Sequence, residues 1–599
     1  MTKRTLSIHS ENILPIIKKW LYSERDIFLR ELVSNSQDAI VKLKTLVANG
    51  KAYLEENPDF RIDITLDTEA KTLTIADNGI GMTADEVEKY ICQVAFSGAE
   101  EFVQHYKTGG DESQIIGHFG LGFYSAFMVS SKVELLTLSH EMGSQAVQWS
   151  SDGSIEYELQ PAGKEGRGTT VTLHVNDEEF LDPEHITAVL NKYCRYLPYA
   201  ITFNGSRVNP TLPLWTKRSH DTTDEEVRAF YHELYPAHPD PILWVQLNID
   251  HPFHLQGILY FPKIHSHFDF QKQELKLFSN RVFVTDRVKD LFPDFLTMME
   301  GAIDSPDIPL NVSRSFLQMD KTVRQLGKHI IKKVCDKLSS LHNLERDRFI
   351  SIWNDLEMVV KLGLLSDDTF FERSREFFLF KTLEGTYVNL SDFKEKETVY
   401  YTGDDTTSHL AALYKKAHPT IIVARSPLDM AVLSRLENKL SLNFSRIDSA
   451  LHDALLDPSK EKTLLSQDGK NEAQLIADFV KSALQEDDLA VEAKSLSADS
   501  IPAFLQLDEG ARRLRDYFRA QENEGGPSLP LKKTLILNTS HPLVDKLLTL
   551  KSKDRPLSEK LARHIYHLSL FTQKEMDKSR LQPFLDEWND LLLNLSTYI

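Results

Sequence analysis

Three short stretches hold the residues best suited to chemistry. In the first, residues 24–39, Glu31, Asn35 and Asp38 recur at i, i+4 and i+7 and share one face of a predicted helix, while Phe28, Leu32 and Ala39 share another. A carboxylate one turn from an amide can hold a water and a magnesium ion side by side, the carboxylate as base or orienter and the amide oxygen as a hard ligand. The same pattern also describes a solvated polar stripe on an amphipathic helix. The second stretch is Asp77-Asn78-Gly79-Ile80-Gly81-Met82. The alternating runs Ile62/Ile64/Leu66 and Leu73/Ile75 predict an antiparallel hairpin, so Asp77 ends a strand where the chain breaks into glycines. Such an aspartate is either a turn former or, where glycines let a planar ligand reach the backbone, an acceptor for an exocyclic amine such as that of adenine. The third is Gly117-His118-Phe119-Gly120-Leu121-Gly122, running into the apolar segment Phe123 to Val129. A helix starting there would aim unpaired N–H groups at a phosphate chain, although the spacing is neither the dinucleotide fingerprint nor the Walker loop.

The elements around these residues make a specific pattern. Ile27 to Asn35, Asp77 to Met82 and Gly117 to Ser125 closely resemble the ATP site of the heat-shock protein 90 chaperones, most nearly the bacterial branch known as high-temperature protein G. Gyrase, mismatch-repair and histidine-kinase ATPases share the Glu/Asn helix and the Asp-x-Gly-x-Gly turn, so the rest of the chain makes the choice. Pro213 to Arg218 resembles the start of the family's middle domain, Leu275 to Asp286 its central strand, and Asp304 to Arg314 its catalytic loop. Leu535 to Pro542 resembles its C-terminal domain, so the likeness covers essentially all 599 residues.

The resemblance implies an α/β (α+β) multidomain protein. Residues 1–212 would form a Bergerat-type ATP-binding α/β sandwich and 213–456 an α/β middle domain with the catalytic loop. Residues 457–473 would be a linker and 474–599 a mainly helical dimerisation domain. It implies roles as well. Asp77 would fix adenine with support from Gly81 and Thr169, Met82 and Phe123 would supply apolar walls, and Asp38, Gly117, Gly120 and Gly122 would complete the nucleotide set. Asn35 would hold Mg2+ between the phosphates, and Glu31 would orient or deprotonate the attacking water. Ser313 suits an N-cap, which would put Arg314 and Gln318 one turn apart on one helical face, able to reach the γ-phosphate when domains close. The implied activity is slow hydrolysis of ATP to ADP by a homodimeric clamp acting on non-native client proteins, with a bacterial DnaK-type chaperone as a further partner.

Two positions depart from the family pattern: Phe96 stands where a lysine is usual, and Ser315 where a glutamate is usual. They motivate a second reading, an ATP-binding scaffold whose hydrolysis is too slow to matter. A third, a DNA-processing enzyme of the same superfamily, would need basic DNA-contacting surfaces.

Composition argues against that third reading. The net charge of −19 disfavours general nucleic-acid binding and keeps a protein soluble while it handles sticky partners. A chain of 599 residues implies about three or four domains, and 41% apolar residues suffice for packed cores. Met1 to Ser7 lacks an apolar signal core and no run is long enough to span a membrane, so a cytoplasmic location without membrane contact is expected. Cys92, Cys194 and Cys335 stand far apart, and the 21 histidines show no H-E-x-x-H arrangement. Composition shifts predict a first domain ending near Asn209, a strand at Thr420 to Ala424, and a helix at Leu428 to Glu437. Near the end, Phe584, Leu585, Trp588, Leu591, Leu592 and Leu595 form one apolar stripe, either buried within its own domain or forming a two-fold helical dimer interface, which the resemblance favours.

Overall fold

The computed structural model describes residues 24–54, 58–93, 96, 116, 120–154, 156–263, 275–286, 293–308, 321–403, 409–417, 420–449, 451, 455–460, 471–486, 488–508, 510, 513, 532–573 and 575–596. The chain divides into two compact units, residues 1–337 and 338–599.

The first unit is organised by a hairpin that the alternation of apolar residues dictates. Strands β1 (Arg61–Asp67) and β2 (Thr72–Asp77) pair antiparallel with Ile62 opposite Asp77 and Ile64 opposite Ile75. Ile62, Ile64 and Leu66 all point inward, as period two requires. Six more strands extend this hairpin: β3 (Ser130–Leu138), β4 (Val147–Ser151), β5 (Glu158–Pro161), β6 (Gly168–Val175), β7 (Ala200–Phe203) and β8 (Ser206–Arg207). The sheet order is β5-β4-β3-β6-β2-β1-β7-β8. Helices α1 (Ile27–Ala48), α2 (Ala84–Tyr90) and α3 (Pro183–Cys194) supply the helical layer. Thr83 starts α2 with a reciprocal capping box to Glu86. Phe28, Leu29, Leu32 and Val33 of α1 join Ile62, Ile64, Leu73 and Ile75 in one apolar cluster.

That cluster continues beyond residue 212. Trp215, on a single 3-10 turn at Leu214–Thr216, lies 5.0 Å from the Tyr196 ring and 5.6 Å from that of Phe230 in helix α4 (Asp224–Leu234). Its indole N–H donates to Asp304 Oδ2 at 3.3 Å. A second sheet follows, of β9 (Leu243–Ile249), β10 (Leu255–Phe261), β11 (Leu275–Ser279), β12 (Val282–Thr285) and β13 (Glu300–Asp304), in the order β12-β11-β13-β10-β9. Here the single strand expected over Leu275 to Asp286 is corrected. It is a hairpin with β12 at the sheet edge, because Asn280 and Arg281 both take left-handed backbone angles, φ 50° and 65°, and turn the chain.

The second unit holds β14 (Leu379–Lys381) paired with β15 (Tyr387–Asn389), and a parallel sheet of β16 (Thr398–Thr402), β17 (Ile421–Val423) and β18 (Asn443–Arg446). The strand expected near Thr420 is therefore present, and the helix expected at Leu428 to Glu437 spans Pro427–Leu440 with Ser426 as its cap. A further sheet, β19-β21-β20, comprises β19 (Leu489–Lys494), β20 (Ala503–Leu507) and β21 (Lys533–Asn538). The outer edge of β20 is occupied at alternate residues. Ser569 donates to the Ala503 carbonyl, the Gln573 amide both donates to and accepts from the Leu505 backbone, and Leu507 N–H donates to the Asp448 carbonyl. Helix α5 (Arg555–Thr572) packs on this sheet and carries α6 (Lys578–Ser596). The C-terminal stripe divides: Phe584 and Leu591 are buried, Trp588 (39% exposed) stacks on the His564 ring at 4.4 Å, and Leu585 and Leu592 (47%) face outward.

Candidate nucleotide site

The chemistry-bearing face of α1 is not a solvated stripe. Glu31 is 3% exposed and Asp38 5%, and the neighbouring Arg30, Ser34 and Gln37 are also buried. Charged groups this deep need partners. The Arg30 guanidinium meets a single oxygen of Glu31, with Nη2 at 2.8 Å and Nε at 3.1 Å from Oε1. The other oxygen faces Gly122: a methyl group added there would lie 2.5 Å from Glu31 Oε2. A glycine is needed at 122 because the backbone passes directly over the carboxylate. Asp38 Oδ1 accepts the Ile116 N–H at 2.8 Å and so braces the chain leading to the glycines. Asn35 is half-buried between these two carboxylates in sequence.

At the end of β2, Asp77 is 8% exposed. Its Oδ1 accepts the Gly79 N–H at 2.9 Å and the Thr169 N–H at 3.3 Å. Burial pushes this carboxyl up to about 6, against the opposing effects of those two N–H groups, the Ser36 hydroxyl and Lys164. The turn that follows is held from both sides: Ile80 N–H donates to the Ala39 carbonyl of α1, and His140 N–H donates to the Ile80 carbonyl. Gly81 has φ +64°, and any β-carbon there would sit 1.9 Å from the Leu138 carbonyl oxygen, so no other residue fits. Met82 N–H donates to Thr137 Oγ1, which also pairs with Thr169 Oγ1 at 3.0 Å. Asn78 turns away and closes the start of β1, accepting from Arg61 N–H and donating to the Asp59 carbonyl.

The apolar segment after the glycines is a 3-10 helix, Gly122–Met128, in place of the expected helix from Phe123 to Val129. Phe123 is buried with its ring edge-on to Trp149 at 5.6 Å, and Met82 is half-buried against the same cluster. Glu31, Asn35, Asp38, Asp77, Gly81, Met82, Gly120, Gly122, Phe123 and Thr169 thus belong to one unit. Gly117, Arg314 and Gln318 lie outside the described residues. Sequence reasoning missed Arg30, Ser36, Thr137 and Lys164. Arg30 had only its adjacency to Glu31 as a signal, and Thr137 only its inward position in the Val133/Leu135/Thr137 alternation.

The arrangement suits a nucleotide. A buried acceptor sits beside glycine backbone at one end, and a carboxylate oxygen faces a glycine strip at the other. Among the described residues no group of three or more His, Cys, Asp or Glu could hold a metal by itself. The single amide of Asn35 therefore fits a Mg2+ held chiefly by phosphate oxygens rather than by a protein cage. No helix among the described residues is long and apolar enough to cross a membrane.

Comparison with known proteins agrees with this geometry. A family profile described as "Histidine kinase-, DNA gyrase B-, and HSP90-like ATPase" matches residues 23–162, and one described as "Hsp90 protein" matches residues 200–579. The chain is 40% identical to the chaperone protein HtpG of Porphyromonas gingivalis over 614 aligned positions, covering 96% of this chain and 89% of that one. It is 40% identical to HtpG of Bacteroides fragilis, covering 92% and 85%, and 29% identical to that of Geobacter sulfurreducens, covering 92% of each. With one profile matching residues 23–162, the other matching residues 200–579, and relatives 40% identical over most of the chain, the chain belongs to the heat-shock protein 90 family of chaperones.

Proposed function

We propose that this protein is an ATP-dependent molecular chaperone, a homodimeric clamp that hydrolyses ATP to ADP and phosphate while assisting the folding of non-native clients. The observation that carries this reading is a pair of buried carboxylates, Asp77 bonded to the N–H groups of Gly79 and Thr169, and Glu31 bonded to Arg30 and lying against Gly122. In this reading Asp77 accepts the adenine amine, Gly79 and Gly81 let the base reach the backbone, and Thr169 and Thr137 hold Asp77 and Met82 in place. Arg30 fixes Glu31 through Oε1, and Glu31 orients the water or takes its proton as oxygen attacks the γ-phosphorus and the bond to ADP breaks. Bound Mg2+ would neutralise phosphate charge, with Asn35 holding it. Arg314 and Gln318 would meet the γ-phosphate from the middle domain, which makes turnover depend on closure.

The same reading takes residues 1–212, 213–456, 457–473 and 474–599 as ATP-binding domain, middle domain, linker and dimerisation domain. The outward Leu585 and Leu592 of α6 support a dimer built on that helix. A cytoplasmic location and cooperation with a DnaK-type chaperone belong to the same proposal.

The deciding experiment is Glu31→Gln in the full chain. Calorimetry should show ATP binding within about threefold of the parent, while steady-state phosphate release should fall by about 10² or more, since a general base is worth that much. A variant that turns over at the parental rate removes Glu31 from the chemistry. For assembly, Leu585→Glu combined with Leu592→Glu places charge on exposed positions, so the fold should survive. Light scattering should then report one chain per particle and turnover should fall several-fold, as the effective concentration of the second copy is lost.

A further inference from the structure

Beyond the adenine turn, Lys89, Tyr90 and Phe96 form a stack to which the catalytic reading assigns no role. The rings of Tyr90 and Phe96 lie 6.0 Å apart with planes 22° from parallel. The Lys89 ammonium sits 5.2 Å from the first ring centroid and 5.4 Å from the second. A cation this close to two aromatic faces is attracted by both, and because all three side chains are only partly exposed the attraction is less screened than at a free surface.

The stack is tied to the glycine strip at two points. The Tyr124 hydroxyl, on the 3-10 helix that begins at Gly122, donates to the Ile91 carbonyl, directly after Tyr90. The Phe96 backbone lies against Gly120, where an added β-carbon would come within 2.4 Å of the Phe96 carbonyl oxygen and where φ is +62°. Two residues further on, Gly122 abuts Glu31 Oε2. A continuous path of contact therefore runs from the Lys89 ammonium through the two rings and the Phe96 backbone to the glycines over the carboxylate. Asp77 does not lie on that path, being bonded instead to Gly79 and Thr169.

We propose that Lys89, Tyr90 and Phe96 act as a clasp that sets the Gly120–Gly122 strip over Glu31, making them positioning residues for activation of the attacking water and not for adenine binding. The proposal rests on the assignment of Glu31 to that water.

The test compares Phe96→Leu, Phe96→Tyr, Lys89→Met, Lys89→Arg and the Lys89→Met/Phe96→Leu double variant in the full chain, by steady-state phosphate release and calorimetric ATP affinity. Phe96→Leu and Lys89→Met should each lower kcat on the order of tenfold, as expected for a small misplacement of a reacting group, with Kd within about twofold of the parent. Phe96→Tyr and Lys89→Arg, which keep ring and charge, should recover most of kcat. The double variant should be no worse than the poorer single, since both act through one stack. The clasp is overturned by an unchanged kcat in Phe96→Leu, by equal damage in Phe96→Tyr, or by Kd rising in step with the loss of kcat. Glu31→Gln in the same assay separates the two claims. If it is inactive while Phe96→Leu is unimpaired, the clasp alone fails; if it turns over normally, both fail.

Discussion

Asp77 and Glu31 are both buried carboxylates in one domain, yet they are stabilised in different ways. Asp77 accepts from backbone N–H groups and a serine hydroxyl, with Lys164 as a weaker influence, and its carboxyl is pushed up to about 6. Glu31 shares its burial with a guanidinium that is itself inside the protein. Backbone donors are fixed by the sheet and the turn, so Asp77 is held rigidly even though burial raises its carboxyl. The side-chain cation at Glu31 instead engages one carboxylate oxygen with two of its nitrogens. The first arrangement suits recognition of a neutral amine, where geometry decides; the second suits chemistry on water, where a carboxylate must be held in one orientation.

The difference can be broken most sharply at the recognition end. Asp77→Asn keeps an acceptor for Gly79 and Thr169 only by turning its amide nitrogen toward the adenine amine, donor against donor. We expect ATP affinity to fall by about 2 kcal/mol or more, roughly thirtyfold, with little change in thermal stability. Affinity close to the parent in calorimetry would remove Asp77 from the site. At the other end, Gly122→Ala should push Glu31 Oε2 aside, because the new methyl group would stand 2.5 Å from it. Turnover should drop on the order of tenfold while ADP affinity holds, the converse of the first variant.

A smaller effect concerns Asp77 and pH. Protonated Asp77 is a weaker acceptor than the carboxylate and sets an O–H of its own among the donors around it, so ADP affinity should be level above pH 7 and decline by up to about tenfold per pH unit below the value of about 6. The nucleotide-free fold should respond in the opposite sense. A carboxyl whose folded-state pKa exceeds its unfolded value of about 3.9 holds its proton longer when folded, so its contribution to stability is lost as pH rises from about 4 through 6. Thermal melts with and without ADP across that window measure both, and parallel curves would mean that Asp77 does not couple to the nucleotide.

What could be read from the sequence follows the range of the interactions. The β1/β2 hairpin was legible because period-two alternation is local, and it places Asp77 at the strand end. The Glu31/Asn35/Asp38 face was legible from helical period, although burial alone excludes the solvated stripe. The bonds that define the Asp77 pocket were not legible from local pattern, since Thr169 and Thr137 arrive on other strands of the sheet; Thr169 came only through the family resemblance and Thr137 not at all. Leu275 to Asp286 read as one strand because its apolar residues hid a turn whose cue was Asn280. Arg30 carried no spacing signal, because adjacent helical residues point in different directions and only the length of arginine lets it fold back onto Glu31. Phe96 stood out as a departure, but its partner Lys89 could be found only in three dimensions.

The filled edge of β20 has a consequence for a protein of this family. An open strand edge pairs with any extended polypeptide that offers amides in register, and unfolded chains are rich in such segments. With Ser569, Gln573 and the Asp448 carbonyl already bonded at Ala503, Leu505 and Leu507, a passing strand would have to displace all three to extend the sheet. A chaperone works among chains that are ready to add themselves to its own sheets, and here two side chains and a loop carbonyl, rather than another strand, keep the chaperone from becoming a template.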